Sequence, residues 1–299
     1  MRKYQIIAAA ITVCLLATAP TWAQERDFSQ IEFEATHVAG NIHMLVAQGG
    51  GNIGVTAGED GIIIVDDQFA PLADKIRAAL REINPGQLKF VLNTHWHWDH
   101  TDGNKEFGPE ATVIAHHNVR RRLSSDQRVM GRNVEALPPE AWPVITFDES
   151  LAIHFNGETI EVIHLPHGHT DGDSVIYFTG SRVVHMGDHF FNGYFPFVDL
   201  ESGGDVRGYA ENVDRVLEMI PEDVKVIPGH GPLASKADLQ RFHAMLLDTI
   251  ATVQLHMSEG KTLEEIKEAG LDPRWESWGQ GFINEANWIT TIYTDLSDH

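Results

Sequence analysis

From His37 onward the chain alternates short apolar runs with turn residues, which is the pattern of a mixed α/β domain. The run Gly61–Val65, which is rich in isoleucine, predicts a buried strand. Residues 71–83 carry apolar side chains at helical spacing, and Pro85 and Gly86 then end the predicted helix. In chain order, the predicted strands span residues 41–46, 53–57, 61–65, 89–93, 111–115, 161–165, 174–179, 182–186 and 225–227, and the predicted helices span 71–83, 206–219 and 236–257.

The first residues follow a different pattern. Arg2 and Lys3 precede an apolar run over residues 6–16, and small residues lead to Ala23. This order is typical of a secretory signal peptide, and the run is shorter than the roughly 20 residues that a membrane-spanning helix needs. We therefore expect a signal peptide over residues 1–23 and an exported protein, periplasmic or secreted. No stable membrane association is expected after its removal.

The rest of the chain is predicted to form one domain over residues 24–258 and a helical tail over residues 259–299 that packs on the same domain. The pattern contains no low-complexity linker. The tail is rich in aromatic residues, which we expect to pack in the core rather than to form a binding surface: Trp275, Trp278, Phe282, Trp288 and Tyr293.

Composition narrows the class of protein. Of 299 residues, 42% are hydrophobic and 22% are charged, which excludes a wholly disordered chain. The formal net charge of −21 argues against nucleic acid as a partner, because phosphates require lysine and arginine. The single cysteine, Cys14, cannot form an internal disulfide. A small-molecule substrate is the expected partner, the oligomeric state stays open, and the 17 histidines require an explanation.

The strongest candidate for a functional site is a short block of residues that follows the strand predicted at residues 89–93. Four side chains able to bind a metal lie within six residues, in the order His95, His97, Asp99 and His100. His95 and His97 are two apart, so an extended backbone places them on one face. Imidazole and carboxylate are ligands that Zn²⁺ accepts. The block therefore predicts a metal site at a strand end.

This block resembles the signature of the metallo-β-lactamase superfamily, whose members are mostly metal-dependent hydrolases. Three later motifs extend the resemblance: His169 in Gly-His-Thr, Asp188 after Gly187, and His230 in Pro-Gly-His-Gly. Each follows a predicted strand, and together they extend the resemblance over roughly residues 37–257. The resemblance implies an α/β fold of the four-layered αβ/βα sandwich type.

The resemblance also implies a dinuclear centre, with two Zn²⁺ as the expected ions and manganese or iron as alternatives. Seven residues would form it. One ion would be held by His95, His97 and His169, and the other by Asp99, His100 and His230. Asp188 would bridge the two ions. Asp99 is in addition the expected catalytic residue, which would orient the nucleophile and transfer a proton. Asp66, Asp171 and Asp173 are candidates to orient the histidines, and Asp66 is the preferred one.

The expected function is a metal-dependent hydrolase that opens a cyclic amide or ester in a small molecule, with β-lactam hydrolysis as the first candidate. One departure favours the alternative of a lactonase or a thioester hydrolase of the glyoxalase II type. The commonest secreted β-lactamases of this family have a cysteine where Asp188 stands and a lysine where Phe191 stands. A non-haem iron oxygenase on the same fold and a non-catalytic metal-stabilised binding protein are alternatives from other classes. The pocket wall is predicted to include Trp96, Asn192, Tyr194 and Phe195.

Overall fold

A computed structural model describes residues 27–297, so the predicted signal peptide lies outside the described residues. Contacts divide the chain into a short unit, Met1–Gln30, and a large unit, Ile31–His299. All elements described below belong to the large unit. Within residues 27–297, no helix is both long enough and apolar enough to cross a membrane.

The described residues contain fifteen strands and eight α-helices, numbered in chain order. The strands are β1 Glu34–Ala39, β2 Ile42–Val46, β3 Ile53–Gly58, β4 Gly61–Val65, β5 Leu88–Leu92, β6 Thr112–His116, β7 Gln127–Val129, β8 Arg132–Val134, β9 Ile145–Phe147, β10 Ser150–Phe155, β11 Glu158–His164, β12 Ser174–Phe178, β13 Val183–His185, β14 Lys225–Ile227 and β15 Ala234–Ser235. The helices are α1 Ala73–Ile83, α2 Trp98–Thr101, α3 Asn104–Phe107, α4 His117–Leu123, α5 Val206–Met219, α6 Lys236–Ser258, α7 Leu263–Ala269 and α8 Glu285–Ser297.

Two mixed sheets form the centre of the fold. The first has the order β1-β2-β3-β4-β5-β6-β9, and the second has the order β10-β11-β12-β13-β14-β15. Strands β4, β5, β6 and β9 run parallel, as do β13 and β14, while the other pairs within the two sheets are antiparallel. Strands β7 and β8 form a separate hairpin.

The inner faces of the two sheets share one apolar layer. Ile63 and Leu92 from the first sheet belong to the same buried cluster as Val162 and Ile176 from the second. Successive side chains of a strand point to opposite faces, so the residue next to Ile176, Val175, belongs to the outer cluster that α5 and α6 cover. All five residues of β4 are buried, so this strand is covered on both faces.

Helix α1 buries Ile76 and Leu80 along one stripe, and Leu80 lines a cleft together with Ile62 and Leu88 of the first sheet. Helices α5 and α6 cover the second sheet through residues such as Tyr209 and Phe242, both fully buried. The order of layers is therefore helix, sheet, sheet, helix. The expected four-layered αβ/βα sandwich is confirmed.

The parallel strands place the loops that carry the candidate ligands. The metal-binding block follows β5, while Asp188 and His230 follow the parallel pair β13 and β14. In sheets with parallel strands, sites form at the carboxyl ends. Asn52 connects the two sheets there, because its side-chain nitrogen donates to the backbone oxygens of Pro228 and Gly231, each at 2.9 Å.

The C-terminal segment packs on the outer cluster of the second sheet. Trp288 of α8 is fully buried, donates from Nε1 to Thr249 Oγ1 of α6 at 3.0 Å, and stacks on Phe195. Trp275 and Trp278 are buried in the same cluster. Phe282 is different, since 71% of it is exposed, and the expectation that it packs in the core is wrong.

We predict that Trp288→Ala destabilises the whole domain, because the substitution leaves a cavity and removes the hydrogen bond that Trp288 Nε1 donates to Thr249. The free energy of unfolding should fall by about 3–5 kcal/mol, which lowers the melting temperature by roughly 10 °C. Differential scanning calorimetry measures the change. Phe282→Ala is the control and should shift the midpoint by less than about 2 °C, as expected for an exposed side chain. Equal shifts in the two variants would contradict this packing.

Candidate metal centre

The structure brings the first group of predicted ligands together at the end of the sandwich. His95, His97, His169 and Asp188 each offer a ligand atom, and these atoms all lie within 4.8 Å of one another. His169 Nε2 lies 2.8 Å from His97 Nδ1. Asp188 Oδ2 lies 3.5 Å from His169 Nε2 and 3.8 Å from His95 Nε2. All four residues are buried.

The second group, formed by Asp99, His100 and His230, lies next to the first. Asp188 Oδ1 is 3.0 Å from His100 Nε2 and 3.4 Å from His230 Nε2. The two carboxylate oxygens of Asp188 therefore face different groups, which is the position that a bridging ligand requires. Asp99 and His230 are 22% and 25% exposed, so the second group is the side of the centre that solvent reaches.

A change of backbone conformation after β5 aims the first four ligands. His97 has extended dihedral angles (φ −64°, ψ 147°) and is the residue before α2, whose single turn carries Asp99 and His100. The extended part points His95 and His97 toward the first group, and the helical turn brings His100 back toward the second. Gly51 permits this, because a Cβ atom there would lie 2.1 Å from His100 Cε1.

Hydrogen bonds from outside the two groups fix the histidine rings. His100 Nδ1 donates to Asp66 Oδ2 at 2.7 Å, and His97 Nε2 donates to Asp199 Oδ2 at 3.0 Å. His169 Nδ1 donates to the backbone oxygen of Phe197 at 2.7 Å. For His97 and His169, this bond commits the proton of one ring nitrogen and leaves the other nitrogen as a lone pair directed at the centre.

Asp66 is the residue that organises the block after β5. Besides His100, it accepts hydrogen bonds from the Thr94 backbone N–H at 2.8 Å and from the Thr94 hydroxyl at 2.7 Å. Its φ of +64° is rare for a residue with a side chain, and such strain concentrates at functional sites. Asp171 instead pairs with Arg122. Asp173 accepts from the backbone N–H of Thr170 and is also stabilised by the backbone of His169, so neither carboxylate holds the ring of a ligand histidine.

Asp199 and the backbone oxygen of Phe197 were not anticipated from the sequence. Both lie in an irregular loop more than 90 residues beyond His97, and no motif marks them. A lone aspartate in a loop most often caps a turn, so only the folded geometry reveals its contact with His97.

The donor set fits cations. The facing nitrogens of His97 and His169, 2.8 Å apart, have their protons committed to Asp199 and Phe197, so a neutral pair presents two lone pairs to each other. His95 Nε2 is buried without a hydrogen-bond partner. Asp188 Oδ1 is also buried, and no neighbouring donor forms a hydrogen bond of acceptable geometry with it. A buried lone pair without a donor is costly unless a cation takes it. Imidazole and carboxylate suit zinc, manganese and iron.

Comparisons with known proteins agree with this geometry. A family model described as the metallo-β-lactamase superfamily matches residues 33–230, which is more than half of the chain. The chain belongs to the metallo-β-lactamase superfamily. The predicted family, a superfamily of metallo-hydrolases, is thereby confirmed. The two groups of residues form a His/Asp cluster suited to divalent metal ions.

Individual relatives are distant. The α subunit of 2,4-dinitroanisole O-demethylase from Nocardioides sp. (strain JS1661) is 29% identical over 139 residues, covering 46% of this chain and 40% of that one. Hydroxyacylglutathione hydrolase of Pelagibacter ubique (strain HTCC1062) is 28% identical over 148 residues, covering 48% and 52%. The chain spans about half the length of these curated relatives. The structure of a metallo-β-lactamase from Pontibacter korlensis is alike in fold, with a TM-score of 0.62 and 15% identity over 73% of this chain and 100% of that one.

The electrostatics of this metallo-β-lactamase-superfamily centre differ between its two groups. Burial lowers the pKa of His95 well below its usual value, and burial together with His97 lowers that of His169 to about 4. Both rings are therefore neutral and able to ligate at pH 7. Burial also acts on His100 and His230, but the carboxylates of Asp188 and Asp99 outweigh it and raise both pKa values. The second group is thus a place that favours positive charge.

The predicted pocket wall requires correction. Trp96 is 2% exposed and packs with Val119 and Leu123 of α4, because the residue after His95 on an extended backbone points away from the centre. Phe195 is 1% exposed and stacks on Trp288 in the outer cluster.

The other two predicted wall residues are half-buried. Asn192 donates to Pro232 O, and Tyr194 packs against the outer cluster, so their contact with substrate stays a prediction. Trp98, on the other side of His97 in sequence, is 43% exposed and lies beside the His97 ring at 6.0 Å.

We predict that Asp199→Asn weakens metal binding, because the amide no longer offers a carboxylate to hold the His97 ring and its tautomer. Affinity for added zinc at the first group should fall roughly 10- to 100-fold, as for other partners of ligating histidines. Competition with a chromophoric chelator measures it. Asp148→Asn is the matched control, since Asp148 pairs with His117, an exposed histidine outside both groups. Unchanged affinity in Asp199→Asn would contradict the assigned contact.

Proposed function

We propose that this protein is a dinuclear zinc hydrolase that cleaves an ester-type carbonyl bond, a thioester or lactone, in a small molecule. The observation that carries the proposal is the position of Asp188 between two complete ligand groups, with one oxygen toward each. Zinc ions held there would act as Lewis acids and lower the pKa of a bound water. The distant hydroxyacylglutathione hydrolases are consistent with this reaction class.

Asp99 is suited to the proton transfers of such a reaction. It lies at the solvent-reached side of the centre, with Oδ2 3.4 Å from His230 Nε2 and 3.8 Å from His100 Nε2. Among residues 27–297, no lysine or arginine forms an ion pair with it. In such a reaction this carboxylate would accept a proton from a nucleophilic water and deliver it to the leaving group.

The surroundings of His230 favour an ester-type substrate over a β-lactam. Phe191 occupies the position three residues after Asp188, is 6% exposed, and stacks on the His230 ring with centroids 5.0 Å apart. A buried phenyl ring offers no charge to the carboxylate that β-lactam drugs carry. β-Lactam hydrolysis, the first candidate from the sequence, therefore becomes the alternative that the substrate panel below also tests.

We predict that a panel of acetyl thioester, γ-butyrolactone and the β-lactam nitrocefin shows metal-dependent turnover, strongest on the thioester or the lactone. A chelator abolishes turnover, and added zinc restores it. His97→Ala should reduce turnover by at least about 10³-fold, since the first group loses a ligand, while the fold is retained by circular dichroism. His154→Ala is the control, an exposed histidine on β10.

Three results would contradict the proposal. Full activity in His97→Ala would show that the centre is not required. Turnover of nitrocefin alone would replace the ester-type assignment with β-lactam hydrolysis, while no turnover of any substrate by the zinc-loaded protein would reject carbonyl hydrolysis.

A further inference from the structure

Phe282 is an aromatic side chain that the core does not use. It is 71% exposed, although its neighbour Ile283 and the nearby Trp278 are buried. Exposing a phenyl ring contributes nothing to folding, since only buried apolar area stabilises. A single exposed apolar residue is ordinary in a soluble protein, so the surroundings of Phe282 decide what it means.

The backbone around Phe282 is held firmly against the loop that follows Asp188. Ile283 forms an isolated antiparallel bridge with Phe195, and the Phe195 N–H donates to Trp278 O at 3.1 Å. Gly281 allows the close approach, because a Cβ atom there would lie 2.7 Å from Tyr194 Cδ1. Phe282 is thus fixed in position while its ring remains in solvent.

The ring of Phe282 is connected to the metal centre through one intermediate residue. It packs edge-on against Phe197 with centroids 6.2 Å apart. Phe197 in turn lies 5.7 Å from the rings of both His97 and His169, and its backbone oxygen accepts the hydrogen bond from His169 Nδ1. Two aromatic rings therefore lead outward from the first ligand group to solvent.

We propose that Phe282 is a specificity-determining residue that, with Phe197, binds an apolar acyl group of the substrate next to the reacting carbonyl. The inference rests on the proposed function. When the substrate carbonyl binds at the ligand groups, its acyl substituent must extend along one side of the site. The side formed by Phe197 and Phe282 is apolar and ends in an exposed phenyl ring. Burial of that ring by an acyl chain is favourable only when substrate is present. The C-terminal segment thus selects the substrate.

The test compares acetyl and octanoyl thioesters of one thiol on the zinc-loaded, full-length protein. In the wild-type protein the octanoyl substrate should have the higher kcat/KM. In Phe282→Ala the ratio of octanoyl to acetyl kcat/KM should fall on the order of tenfold, mostly through KM, because apolar contacts of this size discriminate by such factors. Phe282→Leu, which keeps an apolar side chain, should recover most of the ratio. Leu255→Ala, at an exposed leucine of α6, should leave it unchanged.

A binding measurement separates this inference from the proposed reaction. Octanoate and acetate are titrated into the zinc-loaded protein by calorimetry, and octanoate should bind the wild-type protein on the order of tenfold more tightly than it binds Phe282→Ala. An octanoyl-to-acetyl ratio that is equal in wild type and Phe282→Ala overturns the role of Phe282, whatever the reaction. Tighter octanoate binding that depends on Phe282, without hydrolysis of any thioester, rejects the proposed function and leaves the apolar subsite supported.

Discussion

The buried carboxylate of Asp188 is the interaction on which the rest of this centre depends. Burial alone would raise its pKa, but His100, His230 and His95 surround it, and its pKa lies well below the usual value. A buried charge is stable only when it is paired on all sides. The two oxygens divide that pairing between two ligand groups, so removing the carboxylate would separate the groups. Four imidazoles would then lose their common partner: His95, His100, His169 and His230.

The two sheets can meet at Asp188 because the backbone of the neighbouring loop approaches this residue closely. Gly229 lies against it, and a Cβ atom there would be 2.2 Å from Asp188 Oδ1. Tyr209 of α5 donates its hydroxyl to the backbone oxygen of Asp188 at 2.5 Å, which fixes the turn after β13 from the outer layer. Asn52 then joins the loop after β14 to the first sheet. The helices and both sheets therefore converge on one carboxylate.

Much of this arrangement could be predicted from the sequence. The apolar runs that are buried on both faces, such as β4, and the amphipathic α5 have the bounds that their patterns indicate. The strands that were missed, β1, β7–β10 and β15, are short or exposed on one face, and their polar residues conceal the pattern. The ligand histidines were visible because several lie within a few residues of one another, whereas Asp199 acts across 102 residues and carries no local signal.

The aromatic residues show a second limit of sequence reasoning. Trp96 and Trp98 are chemically alike and two positions apart, yet one is in the core and the other is exposed, since α2 begins between them and changes the direction of the side chains. Phe282 and Trp288 lie in one aromatic-rich segment. Of the two, only Trp288 fills a space in the core and donates a hydrogen bond to an acceptor there. Burial depends on tertiary neighbours, which composition does not contain.

We infer that Asp188 joins two metal-binding groups into one dinuclear centre. The most direct measurement is elemental analysis of zinc per chain after saturation and removal of free metal, in the wild-type protein and in Asp188→Ala. We expect two zinc ions in the wild-type protein and fewer than one retained in the variant, since both groups lose a shared ligand. A single ion in the wild-type protein, or two ions retained in Asp188→Ala, would contradict it.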